Sequence, residues 1–491
     1  MNHSKLYLAL AAALVCGASA QANPALKIYQ GDRDTVYSKK HYIVGVTDAG
    51  NTATINGESQ HVYKTGCFGN RFELTEGVNE FEVAVSAGAE KTVKKFNVFY
   101  TPDKPEKKMT LAEAKAYLEE TTLKACDFYG ISKEGAFLQF VDGGDRLGVS
   151  NMNFVDEGIV FKVVGEIGEL YKVQLSQNKY AFMEKIYLDK TDETTSVVNT
   201  GSWYVCKDGK VDRVSIGLPK RLPYHVWTEL DPTRICIDLY GAMNNSNWMT
   251  QLNDTEMVDY VDYRQVESDV YRVIIKLKKE YAWGFSVEYE GTNLVVKVKH
   301  TPNLELKGML VGLDAGHGGK YTGAVSPSGM TEKEVNMSMI YMVKELLEAK
   351  GAKVVLSRDG DYDVSMKARK DIFKKANVDI IISLHNNSGG NPITEMGSCT
   401  TYKHIVNRKF ASVMFDRLIG MGHKRFGMVG NFNFSLNGPT EYPNVLLEVL
   451  FMSSLPEEEK LADMNYRRKI AKQVVAGLED YLKTVKEAEK K

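Results

Sequence analysis

The segment "GMLVGLDAGHGGKYTG", residues 308–323, decides the fold of the last third of the chain. It opens with an apolar run of strand length and then changes to glycines around a single histidine, His317. Near-continuous apolar strands are typical of parallel sheets that are buried on both faces. The segment therefore predicts a buried strand that ends in a sharp turn, with His317 at the turn.

The glycines of this turn match neither of the common phosphate-binding loops. A P-loop ending in Gly319-Lys320 needs glycine at position 314 and serine or threonine at position 321, but the sequence has Asp314 and Tyr321 there. A dinucleotide-binding loop that begins at position 316 also needs glycine at position 321. With phosphate binding excluded, His317 is either a metal ligand or an ordinary turn residue.

Strand and helix patterns alternate along the C-terminal region. Apolar strands are predicted in "VDIIISLHNN", residues 378–387, and in "NVLLEVLF", residues 444–451. Helices are predicted in "TEKEVNMSMIYMVKELLEAKG", residues 331–351, and over residues 457–485. This alternation predicts an α/β domain with a largely parallel sheet over residues 307–485, whose active site lies beyond the carboxyl ends of the strands.

Three ionisable residues stand near the carboxyl ends of the predicted strands: His317, His385 and Glu448. Two histidines at one sheet edge favour a metal site over two unrelated turn residues. Glu448 lies in a strand of valine and leucine, where an ionised carboxylate is costly to bury without a partner. Either a bound cation or a buried lysine or arginine would provide that partner.

A catalytic zinc ion takes three protein ligands, so two histidines leave one ligand to find. Thr331 and Glu334 have the spacing of a capping box, in which the glutamate reaches back to the N-cap residue. That assignment gives Glu334 a structural role and leaves Glu332 free at the first helical position. From the residues alone, Glu332 is either the third ligand or a carboxylate favoured by the helix dipole.

A secretory signal peptide is predicted for residues 1–20. Lys5 precedes an apolar run, Leu6–Val15, and a small-residue cleavage pattern ends at Ala20. The run is too short for a membrane helix, and no later stretch of the sequence is apolar enough to span a bilayer. Cys16 follows a bulky residue, which disfavours lipidation. The mature protein is therefore expected to be exported and to have no membrane span.

Composition and charge exclude several classes of protein. Lysine and arginine (62) nearly balance aspartate and glutamate (63), and the net charge of -1 gives no indication of nucleic-acid binding. The cysteines beyond the signal peptide are far apart and form no C-x-x-C pair, which argues against a disulfide scaffold and against a cysteine zinc site. These cysteines are Cys67, Cys126, Cys206, Cys236 and Cys399.

Three β-rich modules are predicted before the α/β domain. Residues 24–100 alternate with period two between glycine turns, which predicts an Ig-like β-sandwich. Residues 109–192 are predicted to form a helix from Thr110 to Gly130 and then short strands that resemble a bacterial SH3-like domain. Residues 200–300 contain "TRICIDL" and "YRVIIKL" and resemble the AMIN module, a β-sandwich found beside cell-wall amidases. Its tryptophans are expected in the core rather than on a sugar-binding surface: Trp203, Trp227 and Trp283.

Several linked motifs of the C-terminal region resemble one family. "LDAGHGG", "GMTEKEVN", "VDIIISLHNN" and "YPNVLLEVLFMSSLPEEEKL" occur in the order, and at about the spacing, of the zinc-dependent N-acetylmuramoyl-L-alanine amidases of the amidase-3 type. The resemblance implies that His317, Glu332 and His385 bind one zinc ion per chain and that Glu448 is the catalytic base. The sequence departs from the family pattern at Ala315, where proline is usual, and in "EVLFMSS", where the family more often has "EVGFLSN".

The implied activity is hydrolysis of the amide bond between N-acetylmuramic acid and L-alanine in peptidoglycan, with the β-rich modules holding the enzyme on the wall. The AMIN-like module implies a periplasmic location. No long inserted helix is predicted between His385 and Glu448, so the autoinhibitory helix of some family members is not expected. An activator protein is compatible with the sequence but not indicated by it. The alternatives are a non-catalytic peptidoglycan-binding protein with the same fold and a zinc peptidase that acts on the stem peptide.

Five further polar residues lie in or near the motifs. Asp314 is expected either to support a ligand histidine or to form the turn. Asn386 and Asn387 are expected to contact substrate. His404 and His423 lie outside the motifs and are expected to be ordinary helix or loop residues.

Overall fold

A computed structural model describes residues 23–105, 110–145 and 148–490 of the chain. The predicted signal peptide lies outside these residues. The chain forms two compact units, one up to Lys104 and the other from Pro105 onward. None of the helices in the described ranges combines the length and the hydrophobicity that crossing a membrane requires.

The N-terminal unit is a β-sandwich. Over residues 23–104 its strands are β1 (Lys27–Gln30), β2 (Thr35–Val36), β3 (Lys40–Val46), β4 (Thr52–Ile55), β5 (Glu58–Gln60), β6 (Cys67–Glu73), β7 (Gly77–Ala87) and β8 (Glu90–Tyr100). They form two sheets, with the strand orders β1-β3-β6 and β2-β8-β7-β4-β5. Apolar residues of both sheets, such as Ile43 and Val83, share one buried core. The Ig-like assignment stays a prediction.

The second unit begins with a helix and a seven-stranded sheet. These elements are α1 (Leu111–Thr121), β9 (Lys124–Ser132), β10 (Phe137–Asp145), β11 (Gly148–Phe154), β12 (Val160–Ile167), β13 (Leu170–Gln174), β14 (Tyr180–Glu184) and β15 (Leu188–Thr191). The strand order is β11-β10-β14-β13-β12-β9-β15. The SH3-like assignment of this sheet stays a prediction.

The predicted end of the first helix at Gly130 is wrong. Helix α1 ends at Thr121, and Thr122 is already extended. The residues of β9 pair antiparallel with β12 on one side and with β15 on the other. These residues form a strand rather than a helix, because they gain backbone hydrogen bonds to two neighbouring strands and bury alternate side chains on one face of the sheet.

Residues 198–299 form a second group of sheets. Their strands are β16 (Val198–Asn199), β17 (Trp203–Asp208), β18 (Val211–Ile216), β19 (Tyr224–Glu229), β20 (Arg234–Tyr240), β21 (Ala242–Met243), β22 (Met249–Gln251), β23 (Val258–Glu267), β24 (Val270–Leu277), β25 (Phe285–Glu290) and β26 (Asn293–Lys299). The main sheets have the orders β22-β17-β18-β26-β25 and β19-β20-β24-β23. Trp203 and Trp283 are buried as predicted, and Trp227 is half-buried. Trp248, which the sequence interpretation did not single out, is 69% exposed.

The C-terminal region is an α/β domain around a six-stranded sheet. Its elements are β27 (Leu310–Ala315), α2 (Glu332–Ala349), β28 (Lys353–Leu356), α3 (Met366–Ala376), β29 (Ile380–Asn387), β30 (Ser398–Thr401), α4 (Arg408–Ile419), β31 (Arg425–Val429), β32 (Asn444–Phe451), α5 (Leu455–Ala462) and α6 (Met464–Glu489). The strand order is β28-β27-β29-β32-β30-β31. The first four of these strands are mutually parallel, while β30 runs antiparallel to β32. The predicted α/β class with a largely parallel sheet is therefore confirmed.

Helices cover both faces of this sheet. Val311 and Leu313 of β27 face the large core that also contains residues of α2, α4 and α6. Phe373 of α3 packs in a separate cluster with Ile381 of the neighbouring strand. A Cβ at Gly312 would lie 2.9 Å from the Phe373 ring, so the close approach of α3 to β27 requires glycine there.

Candidate metal centre

Three side chains from three different elements meet at one edge of the α/β sheet. His317 follows β27, Glu332 opens α2, and His385 lies near the end of β29. Their nitrogen and oxygen donor atoms all lie within 4.8 Å of one another. Nε2 of His317 is 3.0 Å from Oε2 of Glu332, and Nδ1 of His385 is 3.0 Å from Oε1 of the same carboxylate. The structure thus brings together the three predicted ligands.

The sheet explains why distant residues converge here. β27 and β29 are neighbouring parallel strands, so their carboxyl ends lie at the same edge. β32 runs parallel to β29 on its other side and pairs Glu448 directly with His385. At the start of α2, the amide and hydroxyl of Thr331 both donate to Oε2 of Glu334, at 3.3 and 2.6 Å. The capping box is therefore confirmed, and it leaves Glu332 to face the histidines.

Glycines make room for the donor groups. His317 itself has a φ of 63°, which lies in the left-handed region that non-glycine residues rarely adopt. A Cβ at Gly316 would overlap the ring of His385, and a Cβ at Gly323 would overlap the carboxylate of Glu332. The glycines of this loop therefore let the backbone pass close to the ligands, instead of cradling a phosphate.

Backbone amides also hold the Glu332 carboxylate. Oε1 accepts the backbone N–H of Asn386 at 3.0 Å, and Oε2 accepts the N–H of Ala324 at 2.9 Å. Burial alone would raise the pKa of Glu332, but its hydrogen bonds with His317 and His385 hold the pKa well below the usual range. Glu332 is therefore an ionised carboxylate fixed between two imidazoles, which suits a metal ligand.

Asn386 lies behind the donor group. It is 2% exposed, and its side-chain amide donates to Oδ1 of Asn336 at 2.8 Å. Asn336, one helical turn after Glu332, donates to Oε1 of Glu332 at 3.3 Å. Asn386 therefore supports Glu332 directly through its backbone N–H and indirectly, by way of Asn336, through its side chain, and its substrate contact stays a prediction. Asn387 is half-buried, and its substrate contact stays a prediction.

His385 is held between burial and two carboxylates, Glu332 and Glu448. Burial lowers its pKa, but the hydrogen bond to Glu332 and the nearby charge of Glu448 raise the pKa to about 9 overall. Without a metal ion, His385 therefore holds a proton at neutral pH. Because zinc ligands must be deprotonated, a metal ion and this proton compete for the same nitrogen.

Glu448 is the fourth ionisable residue at this edge. Burial raises the pKa of Glu448 to about 7, the Glu332 charge adds to the rise, and His385 opposes it. Its Oε2 atom is buried and has no hydrogen-bond partner among the described residues. Within the part of the chain that the structure describes, no lysine or arginine forms the predicted ion pair with Glu448, and the charged groups that act on its pKa are His385 and Glu332. A buried oxygen without a partner is costly, and a cation or a bound water would satisfy it.

Asp314 is not part of the turn, and its support of a ligand histidine stays a prediction. It lies within β27, where its carboxylate accepts from Arg369 Nη1 and from Ser383 Oγ, both at 2.6 Å. Burial would raise the pKa of Asp314, but the Arg369 charge holds it below the usual value. Asp314 thus forms a buried ion pair inside the sheet, rather than the turn.

The two remaining histidines of the domain serve elsewhere. Nε2 of His404 contacts the carbonyl of Gly438 at 2.8 Å. The ring of His423 lies between Ser398 Oγ, at 2.7 Å, and Tyr466 Oη, at 2.8 Å. Both are ordinary loop residues, as predicted. Among the described residues, Cys126, Cys206, Cys236 and Cys399 form no disulfide bond.

The fold and the site together define the class of protein. An α/β sheet carries two imidazoles and a carboxylate at its carboxyl edge, beside the half-buried Glu448, whose buried Oε2 atom has no partner among the described residues. Two nitrogen donors and one oxygen donor are the ligand types of catalytic zinc sites, which leave a further position open. The residues present therefore fit a metal-dependent hydrolase.

Comparison with known proteins assigns the family. The family model for N-acetylmuramoyl-L-alanine amidase matches residues 311–480, and the model for the AMIN domain matches residues 204–298. Protein YqiI of Bacillus subtilis is 30% identical over 178 residues, which cover 36% of this chain and 86% of the relative. The chain belongs to the N-acetylmuramoyl-L-alanine amidase family.

Two further relatives match the same part of the chain. The N-acetylmuramoyl-L-alanine amidase AmiC of Neisseria meningitidis is 26% identical over 219 residues, covering 35% of this chain. The chain spans about half of that relative, 52% of its length. A solved structure of the catalytic domain of the amidase CwlV from Bacillus (Paenibacillus) polymyxa var. colistinus is 31% identical to this chain, with a TM-score of 0.34. The match covers 36% of this chain and 98% of the CwlV domain.

Proposed function

We propose that the protein is a zinc-dependent amidase that hydrolyses the bond between N-acetylmuramic acid and L-alanine in peptidoglycan. The observation that carries this proposal is the meeting of His317, Glu332 and His385 within 4.8 Å, beside Glu448 on the adjoining strand. Membership of the amidase family supports the choice of substrate.

The donor set supports one zinc ion per chain. His317 and His385 would each supply a ring nitrogen, and Glu332 would supply an oxygen that is already ionised in the protein. When bound, zinc supplies activation of water at neutral pH and stabilises negative charge on a carbonyl oxygen.

Glu448 is proposed to move the proton. A pKa of about 7 suits a group that accepts and returns a proton near neutral pH. Its carboxylate would accept a proton from the attacking water and then donate that proton to the nitrogen of the leaving alanine. The amide C–N bond breaks, the lactyl group keeps the new carboxylate, and the stem peptide leaves with a free L-alanine amine.

The segment between His385 and Glu448 favours the proposal that the enzyme is active without an activator. The α-helix in this segment is α4, which packs against β30, β32 and α6 as part of the core. A helix held in the core does not cover the donor group. We therefore propose basal activity in the isolated protein, although the sequence is compatible with an activator.

The β-rich modules and the N-terminus suggest where the enzyme acts. We propose that the AMIN domain and its neighbouring modules hold the protein on peptidoglycan, and that the chain is exported to the periplasm. The AMIN match supports this location.

Mass spectrometry of peptidoglycan digests tests the proposal. The purified protein should release intact stem peptides that begin with a free L-alanine amine, and the zinc-loaded Glu448→Gln variant should not. Cleavage inside the stem peptide would instead identify a zinc peptidase. Binding to peptidoglycan without release, together with no bound zinc, would identify a non-catalytic wall-binding protein.

A further inference from the structure

Two buried arginines lie beneath the loop that carries His317. Arg358 follows β28, and Arg369 projects from α3. Each is only 2% exposed. Burying two guanidinium groups is costly unless their hydrogen bonds are satisfied, so their partners indicate what they do.

Their partners include three successive backbone carbonyls of the loop, beside the carbonyls of Lys333, Gly360 and Val364 and the hydroxyl of Ser357. Arg369 donates to the Ala315 carbonyl at 2.7 Å and to the His317 carbonyl at 2.6 Å, in addition to its ion pair with Asp314. Arg358 donates to the Ala315 carbonyl at 3.0 Å and to the Gly316 carbonyl at 3.2 Å. Every carbonyl from Ala315 to His317 therefore accepts from a guanidinium group.

This loop needs such support because its backbone is unusual. His317 and Gly319 have φ values of 63° and 55°, both in the left-handed region. A Cβ at Gly318 would lie 3.0 Å from Cδ of Arg358, so the loop rests directly on the arginine stem. The Gly316 carbonyl also accepts from the side-chain amide of Asn336 at 3.3 Å, so side-chain donors satisfy the carbonyls of this turn.

Surface residues hold the outer end of the same loop. Lys333 Nζ donates to the Gly319 carbonyl at 2.8 Å and pairs with Asp361 at 2.6 Å. The other carboxylate oxygen of Asp361 accepts the backbone N–H of Gly319 at 2.8 Å. The polar segment "SRDGDYD", residues 357–363, thus supplies both the buried and the exposed support of the loop.

We propose that Arg358 and Arg369, with Asp361 at the outer end, are positioning residues that fix His317 in the orientation that binds zinc. We call this set the loop clamp. The inference rests on the proposed zinc site. Arginine suits the task because its planar fork bonds several acceptors at once and it keeps its charge throughout the working pH range. A lysine at either position would keep the positive charge but could not donate to several fixed acceptors through a planar group.

The test measures zinc affinity in the full chain by competition with a chelator. Arg369→Lys should bind zinc about 10- to 100-fold more weakly, the usual effect of losing a group that orients a ligand. The visible spectrum of the cobalt(II)-loaded variant should also change. At saturating zinc, kcat should fall while KM stays the same. Arg272→Lys, which alters a forked pair with Asp238 in the AMIN region, is the matched control and should leave zinc affinity and the cobalt(II) spectrum unchanged.

Asp361→Asn provides a second arm that does not disturb the core, since its side chain is exposed. The Asp361→Asn variant should weaken zinc binding several-fold. If Arg369→Lys does not fold, the zinc affinity of Asp361→Asn decides whether the loop clamp positions His317. Unchanged zinc affinity and an unchanged cobalt spectrum in the folded variants would overturn the loop clamp, even if the metal-free protein unfolds at a lower temperature. If the unaltered chain itself binds no zinc, the proposed function fails instead.

Discussion

The proton on His385 gives a prediction that depends directly on the geometry of the donor group. In the metal-free protein, the pKa of His385 is raised to about 9, chiefly by its hydrogen bond to Glu332 against the opposing effect of burial. Replacing Glu332 with glutamine keeps the shape of the side chain and removes its charge. We expect the pKa of His385 to fall by about 2 units, which corresponds to about 3 kcal/mol of lost interaction.

The assay is NMR titration of the chelator-treated protein with labelled histidine. The chain has 9 histidines, and His385→Asn identifies the signal of interest. Glu334→Gln is the matched control, because Glu334 lies on the same helix but bonds to Thr331. The Glu334→Gln variant should leave the titration midpoint of His385 near 9. A His385 midpoint at the ordinary histidine value in the unaltered protein would refute the reasoning.

The same proton sets the pH dependence of zinc binding. The folded-state pKa of His385 lies above its unfolded value, so its protonated form is favoured in the metal-free protein and is lost as pH rises through about 9. Zinc must displace that proton. Apparent zinc affinity should therefore fall about tenfold for each pH unit from 9 down to 7.

Three further predictions follow from the site. Glu448→Gln should lower kcat at least about 100-fold with zinc still bound, as measured by product release and metal analysis, and unchanged kcat would contradict the proton-transfer role. Gly316→Ala should weaken zinc binding in chelator competition because its Cβ would overlap the His385 ring, whereas Gly143→Ala, where a Cβ meets nothing within 4 Å, should not. Trp248→Ala should reduce co-sedimentation with intact peptidoglycan without changing kcat on soluble fragments, because the 69% exposed indole can pack on a ligand; an unchanged bound fraction would show that this indole does not contribute to binding.

The α/β domain was predictable because its signals are local and strong. Continuous apolar strands such as "VDIIISL" and a capping box at Thr331 leave few alternative structures. The end of α1 was not predictable in this way. Residues 124–130 belong to the predicted helical pattern, and they become part of a strand because β12 and β15 offer partners that are distant in sequence.

The site was predictable where residue type and strand position coincide. His317, His385 and Glu448 stand near the ends of parallel strands, which necessarily meet at one sheet edge. The supporting residues were missed because their contacts are long-range, as in the ion pair of Arg369 with Asp314, 55 positions apart. Asn336 offered a weak signal, since it lies four residues after Glu332 on the same helical face.

The most direct test of the central claim joins metal analysis to product analysis on one preparation. The purified chain should contain one zinc ion, and its digest of peptidoglycan should contain stem peptides with a free L-alanine amine. Chelation should abolish that release, and added zinc should restore it. Release of the same peptides by a preparation that contains no zinc, or zinc-loaded protein that releases none, would contradict the account.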